Sequence, residues 1–417
     1  MWFVLTSAHA MSLQAAIDAA EQRSAIVEVQ SARVHESELR LHEVQGHLLP
    51  SATVSAAAMV QNEVSVNIAE NLPDIPLIDT TQISPLVVVP GTQVVGSAEV
   101  VQPLIAPQGW AASGAARRGV DLAQAEQRAA RVELRRAVVR AWHGSSQARA
   151  LAADAEIGVQ LAERLLERGQ AMVELGVAST DQLLPFRGAL ATAKANLEMA
   201  RAGSEAADGV LYQLTGLDDG ADGAERSTEL PELSALLSGL ERADLDVAAA
   251  RVEAAGAAQI VEKRGYLPTL AARGSVVVLD PAPDLGTPLN WKVQLGATIP
   301  VFRGGSTRAR VQSAGARVSQ AEAGRRLAIE RAQLEVRSAH GELARAIAAL
   351  GGRREALDLA EQAVQAAERR SEAGGGSLLA IQQAQAQQLQ ARAALTRAEA
   401  EAGQAADLLA LAVKDGV

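Results

Sequence analysis

Two windows of the chain alternate apolar and polar residues at period two, and the long stretches around them do not. Over residues 53 to 68, Val54, Ala56, Ala58, Val60, Val64, Val66 and Ile68 share one face, and Thr53, Ser55, Gln61, Glu63, Ser65 and Asn67 the other. Residues 290 to 301 set Trp291, Val293, Leu295, Ala297, Ile299 and Val301 against Asn290, Lys292, Gln294 and Thr298. Period two is the signature of a strand. Residues 269 to 279 alternate as far as Val277, and residues 92 to 102 only poorly. DPAPDLGTPLN supplies turn residues to the second pair, while ENLPDIPLIDTTQISP makes a longer loop in the first. The pattern predicts two β-hairpins, over residues 51–106 and 268–302.

Elsewhere the rhythm is helical. Ile329, Val336, Leu343 and Leu350 recur every seven residues, with Ala332, Ala339 and Ala346 between them. This is a heptad with a small-residue seam, which lets helices approach closely. Proline outlines the same division, because it is barred from helix interiors. Of 14 prolines, seven lie from Pro50 to Pro107 and five from Pro268 to Pro300, with only Pro185 and Pro231 elsewhere. A continuous helix from Gly109 to Leu175 would be about 100 Å long.

The order of elements repeats. Ala32-Arg33-Val34 and Pro50 recur 218 positions later as Ala250-Arg251-Val252 and Pro268. Pro103 and His143-Gly144 recur 197 positions later as Pro300 and His340-Gly341, the first hairpin window being the longer. Each half reads helix, Leu-Pro, two strands, Pro, long helix, tip, long helix. Pro50, Pro103, Pro268 and Pro300 are therefore expected at helix–strand junctions. The repeats are expected over 11–213 and 241–417, joined by an acidic linker over 214–240.

Composition narrows the class. Aromatics are 2% of 417 residues, too few to anchor a large globular core, and net charge is −10 without a basic stripe, which argues against nucleic acid. There is no cysteine, hence no disulfide, thiolate metal site or cysteine nucleophile. No Ser-His-Asp set, paired carboxylates or HExxH is present, so no enzyme activity and no cofactor are expected. His35 and His42 are about 10 Å apart along a helix and cannot share a metal ion. Gly304-Gly305-Ser306-Thr307 lacks the spacing and lysine of a phosphate loop. It reads as a strand-to-helix turn with Ser306 as N-cap. MWFVLTSAHA, residues 1–10, reads either as the remnant of a secretory signal or as a frayed terminus.

Four strands with one apolar and one polar face cannot close into a barrel, which needs about eight. Lipid does not tolerate open sheet edges. A barrel shared among several chains resolves both problems. Trp291, Phe302 and Tyr266, with Trp110, fall near strand ends, as a sparse interfacial belt would. At the tips, Gly176 and Ser179 fit a helix C-terminus followed by an N-cap, and Gly374 and Ser377 stand equivalently 198 positions on. Pro185 is expected to bend the helix after the first tip.

RADLDVAAARVEAA followed by GYLPTL, then WKVQLGATIPVFRGGSTRARV, then the tip segments ELGVASTDQLL and AGGGSLLAIQQA, resemble the TolC family of outer-membrane efflux proteins. The resemblance runs from about residue 12 onward. It implies a mainly α protein with a membrane β-barrel. Three chains would form a homotrimer with a 12-stranded outer-membrane β-barrel continuous with a 12-helix periplasmic α-barrel. It implies a passive exit duct, joined by a periplasmic adaptor (membrane fusion) protein to an inner-membrane pump and surrounded by outer-membrane lipid. The tips Gly176, Ser179, Gly374 and Ser377 would receive the adaptor. Where some relatives place an acidic aperture pair, this chain has Ala380 and Gln383. Gln383 could constrict by hydrogen bonding, and Asp181 could supply charge. A periplasmic adaptor or a soluble coiled-coil scaffold are the competing readings, disfavoured by two hairpins and two strand pairs in series.

Overall fold

The computed structural model describes residues 11–66, 86–177, 179–221, 229–282, 287–373 and 375–415. Helices α1 (Leu13–Arg23) and α2 (Ala25–Gly46) lead into strand β1 (Ser51–Val60). A small ribbon of β2 (Val64–Val66) and β3 (Leu86–Val89) precedes β4 (Thr92–Ile105) and the long helix α3 (Pro107–Glu174). A 3-10 turn (Thr180–Leu183) opens α4 (Leu184–Thr215), followed by α5 (Leu233–Ser238) and α6 (Ala243–Arg264). Strands β5 (Thr269–Asp280) and β6 (Leu289–Thr298) form the second pair, and α7 (Ser306–Glu372) and α8 (Leu378–Val413) follow. Residues 1–10, read above as a signal remnant or frayed end, lie outside the described residues. No helix among those described is long and apolar enough to cross a membrane.

The chain packs as two units, one of His35–Leu122 and Ala250–Glu322, the other of Met1–Val34, Ala123–Ala249 and Ala323–Val417. In the first unit, helix gives way to strand by the same bonds in both repeats. The N–H groups of Leu48 and Leu49 donate to Gln45 and Gly46, three residues back, and those of Tyr266 and Leu267 donate to Lys263 and Arg264. The helix thus tightens into a last 3-10 turn. Pro50 and Pro268 then force the preceding leucine toward extended backbone, and β1 and β5 begin at the next residue.

The return junctions differ from the sequence expectation at one point. Pro103 is not a junction: it lies inside β4, opposite Ala271, at a register shift before Ile105. The bulge accommodates a residue without an N–H. The junction belongs to Pro107, the first residue of α3, where a missing N–H costs nothing. Pro300 does sit between β6 and α7, and Gly304 and Gly305 turn the chain with φ of 58° and 79°. Ser306 is already the first helical residue. The carbonyl of Gly305 accepts from Ala309, so the N-cap position falls on the glycine. The strand predicted over residues 53 to 68 is also broken, since the Gln61 amide donates to Gly91 and β2 pairs with β3; residues 67 and 68 lie outside the described residues.

In the second unit each repeat is closed by a parallel bridge, Met11 with Ala221 and Glu241 with Lys414. The Met11 amide donates to Gly220 at 2.8 Å and the Glu241 amide to Val413 at 3.1 Å. Around the first bridge Trp142, 2% exposed, packs with Ile17, Leu134, Val138, Leu211 and Leu411, and its indole donates to the Met11 carbonyl at 2.8 Å. Around the second, Val336 and Leu343 pack with Leu409 and Ala412. The heptad seam is buried as expected at Ala332, Val336, Leu343 and Leu350.

The linker over 214–240 is less loop-like than its acidity suggests. Leu233, Leu236, Leu237 and Leu240 are spaced as one helix face and pack against the Val336–Leu409 cluster. Beside them Arg242, almost fully buried, donates to both Asp244 oxygens, to Glu335 and to the Ala412 carbonyl at the end of α8. Burial alone would raise the pKa of Asp244, but the hydrogen bonds and charge of Arg242 outweigh it and hold that carboxyl below its usual range.

Two outcomes follow. Trp142→Ala is expected to cost about 3–5 kcal/mol and Trp142→Phe about 1 kcal/mol for the lost indole bond, read as thermal midpoints of the helical signal in detergent. Equal losses would mean that the bond, not the packing, matters. The Asp244 contribution is complete above the ordinary carboxylate pKa of about 4 and is lost as pH falls through the lower folded value. Asp244→Asn should therefore melt below wild type at pH 7, with the gap closing in acid.

Candidate functional site

The two helix tips are built alike. After α3, Gly176 takes the left-handed conformation (φ 72°), its amide donates to Val173, and the Val177 amide donates to Met172 five residues back. This pair of bonds is a Schellman ending, which a glycine accommodates without Cβ strain. After α7, the Gly375 amide donates to Arg370, the same five-residue step at the positions 198 further on. Gly374 itself lies outside the described residues.

The N-caps differ. Ser377 accepts from the Ala380 amide at 3.2 Å, as predicted. Ser179 does not act this way: its hydroxyl makes no cap bond, and its carbonyl accepts from Gln182 as the 3-10 turn begins. That turn also relocates Pro185 to the first turn of α4, where no backbone bond is lost, so no kink is forced. The two tips pack on each other through Leu165, Leu183, Phe186, Val364, Ala367 and Ile381. Asp181, Ala380 and Gln383 are all exposed.

One tip residue was missed. A Cβ on Gly376 would meet the Ser371 amide nitrogen at 2.7 Å, a backbone clash that no rotamer relieves. The signal was present in the run Gly374-Gly375-Gly376, which the first tip lacks. Gly176, by contrast, has open space within 4 Å of where a Cβ would stand and needs glycine only for its φ.

The second candidate surface is the sheet of order β1-β4-β5-β6, antiparallel throughout. Its central rungs divide by polarity, although Ala57, Val95 and Leu279 extend the more polar face with an apolar rung toward the hairpin end. Val54, Ala98, Val276 and Trp291 align across the four strands, and two residues away Ala52, Val100, Gly274 and Val293 do so. The opposite face carries Thr53, Glu99, Ser275 and Lys292 in one rung and Ser55, Ser97, Val277 and Asn290 in the next. On that face Ser55 and Ser97 hydrogen-bond at 2.7 Å and Arg273 pairs with Glu99 at 2.8 Å. Register brought out this division, although β4 alternates poorly when read alone. Trp291 is 75% exposed near the hairpin end, and Tyr266 and Phe302 are exposed near the helix end. The apolar face is thus uncovered, with aromatics at both ends.

This half-apolar, uncovered sheet leads through β4 into α3 and through β6 into α7. The whole chain shares its fold with the CmeC outer membrane channel of Campylobacter jejuni, at 16% identity and a TM-score of 0.77 over 97% of this chain and 86% of that one. It shares it also with the outer membrane protein VceC of Vibrio cholerae (19%, TM-score 0.73, 96% and 94%) and the MtrE outer membrane channel of Neisseria gonorrhoeae (19%, 0.72, 97% and 89%). No curated protein sequence matches significantly. Residues 227–413 match the family described as outer membrane efflux protein.

Gly376→Ala is expected to loosen the second tip far more than Gly176→Ala, which carries only the left-handed backbone cost of about 1–2 kcal/mol. Amide exchange at residues 370–381 and 172–183 measures the two, and equal deprotection would contradict the steric argument.

Proposed function

We propose that three copies of this chain form an outer-membrane exit duct, conducting substrate passively from an inner-membrane pump and periplasmic adaptor to the outside. The observation that carries this is the four-stranded sheet. Its outermost strands, β1 and β6, have no further partner in the described chain, and one face is apolar. Within lipid such edges must be paired. Pairing β1 of one copy with β6 of the next is a heterologous contact that closes when the rotation is threefold, giving twelve strands. Exposed leucines on α7, Leu334 foremost, are consistent with helices that also meet neighbouring copies.

The adaptor would dock on the tips around Gly176, Ser179, Gly374 and Ser377. The aperture would lie beside them, at Asp181, Ala380 and Gln383. A soluble scaffold would have no use for a sheet with one apolar face, and an adaptor normally carries a single helical hairpin.

The chain lacks cysteine, so introduced cysteines report cleanly. Single cysteines along β1, combined with single cysteines along β6, are expected to cross-link between chains at alternate positions, in detergent-extracted outer membranes. Monomer that stays soluble without detergent would refute the duct. Gly176→Val with Gly374→Val should abolish export while cross-linked trimer persists, whereas loss of trimer would assign these glycines to assembly alone.

A further inference from the structure

The strands carry four charged residues, Glu99, Arg273, Asp280 and Lys292. Asp280 is the last residue of β5, at the hairpin end. The other three share the polar face. Register places Glu99 opposite Ser275 and Ser275 opposite Lys292, and the 2.8 Å ion pair puts Arg273 on the same side as Glu99. That pair neutralises itself. Lys292 is exposed, and among the described residues no carboxylate stands within ion-pair distance of it. It lies two strands from Glu99, about 10 Å along the rung, and the Glu99 charge is already engaged.

We infer that Lys292 is a specificity-determining residue of the duct: a ring of these lysines gives the lumen of the strand barrel a positive charge that favours anionic solutes. This rests on the trimeric duct proposed above, in which the polar face lines the lumen and the described strands of each chain contribute one unbalanced cation there. Nothing opposes it from the candidate aperture positions Ala380 and Gln383, which are uncharged. Asp181 near the tips is the acidic candidate there that competes.

The test is the reversal potential of purified full-length trimers in planar bilayers under a tenfold KCl gradient at low salt. Fixed charge acts over about 30 Å at 0.01 M but only about 3 Å at 1 M. Wild type is expected to pass chloride in preference to potassium. Chloride preference should fall in the order Glu99→Gln, wild type, Lys292→Gln, Lys292→Glu, spanning about threefold or more at low salt and collapsing at 1 M. Variants that leave selectivity flat, with Asp181→Asn shifting it instead, would overturn the inference and move the filter to the tips. A Lys292→Glu chain that fails to assemble, where Lys292→Gln assembles, would place the residue toward lipid and also overturn it. Absence of any trimer or conductance from wild type would instead strike the duct itself.

Discussion

Backbone N–H and C=O groups at the two open edges of the sheet must be paired wherever water is absent. One chain makes β1-β4-β5-β6 and stops, with β1 and β6 at the margins. The side chains make the same demand: Val54, Val276, Trp291 and Val293 form an apolar surface that nothing in the described chain covers. A water-soluble protein would bury such a face or cap its edges with charge. The edge strand β1 carries no charged residue at all.

The duplication is preserved at the level of individual hydrogen bonds. The 3-10 unwinding before each proline, the five-residue bond at each tip and the parallel bridge closing each repeat all recur. The copies diverge just before the helices that lead to the sheet. Ser24 ends α1 through its amide bond to Ala20 and its hydroxyl accepts from Ile26 to begin α2, and 218 positions on Arg242 stands directly before α6. A long cation there reaches Asp244, Glu335 and the end of α8, so the second repeat is locked electrostatically where the first relies on Trp142 and its apolar neighbours.

Much of the site was legible because it rests on local chemistry. Gly176 needs a left-handed backbone, and Ser377 caps the helix that follows it. Ser179 and Pro185 were misread because a 3-10 turn intervenes, and a difference of one hydrogen-bond step carries no distinct residue signature. Pro103 was misplaced because proline marks the end of regular structure and tolerated bulges alike. Gly376 required the neighbouring backbone to be in place before its lack of a side chain had meaning.

By itself the sequence determined the alternation of strand windows and long helices, the doubling, the Leu-Pro handovers and the buried heptad seam, because periodicity and backbone restriction act within a few residues. Only the tertiary structure decided which strands pair and in what register. It alone brought Arg273 to Glu99 while leaving Lys292 without a carboxylate partner among the described residues, and it put the leucines of the acidic linker against the core. Those outcomes depend on partners up to hundreds of residues apart, whose meeting is set by how whole elements pack and not by any local preference.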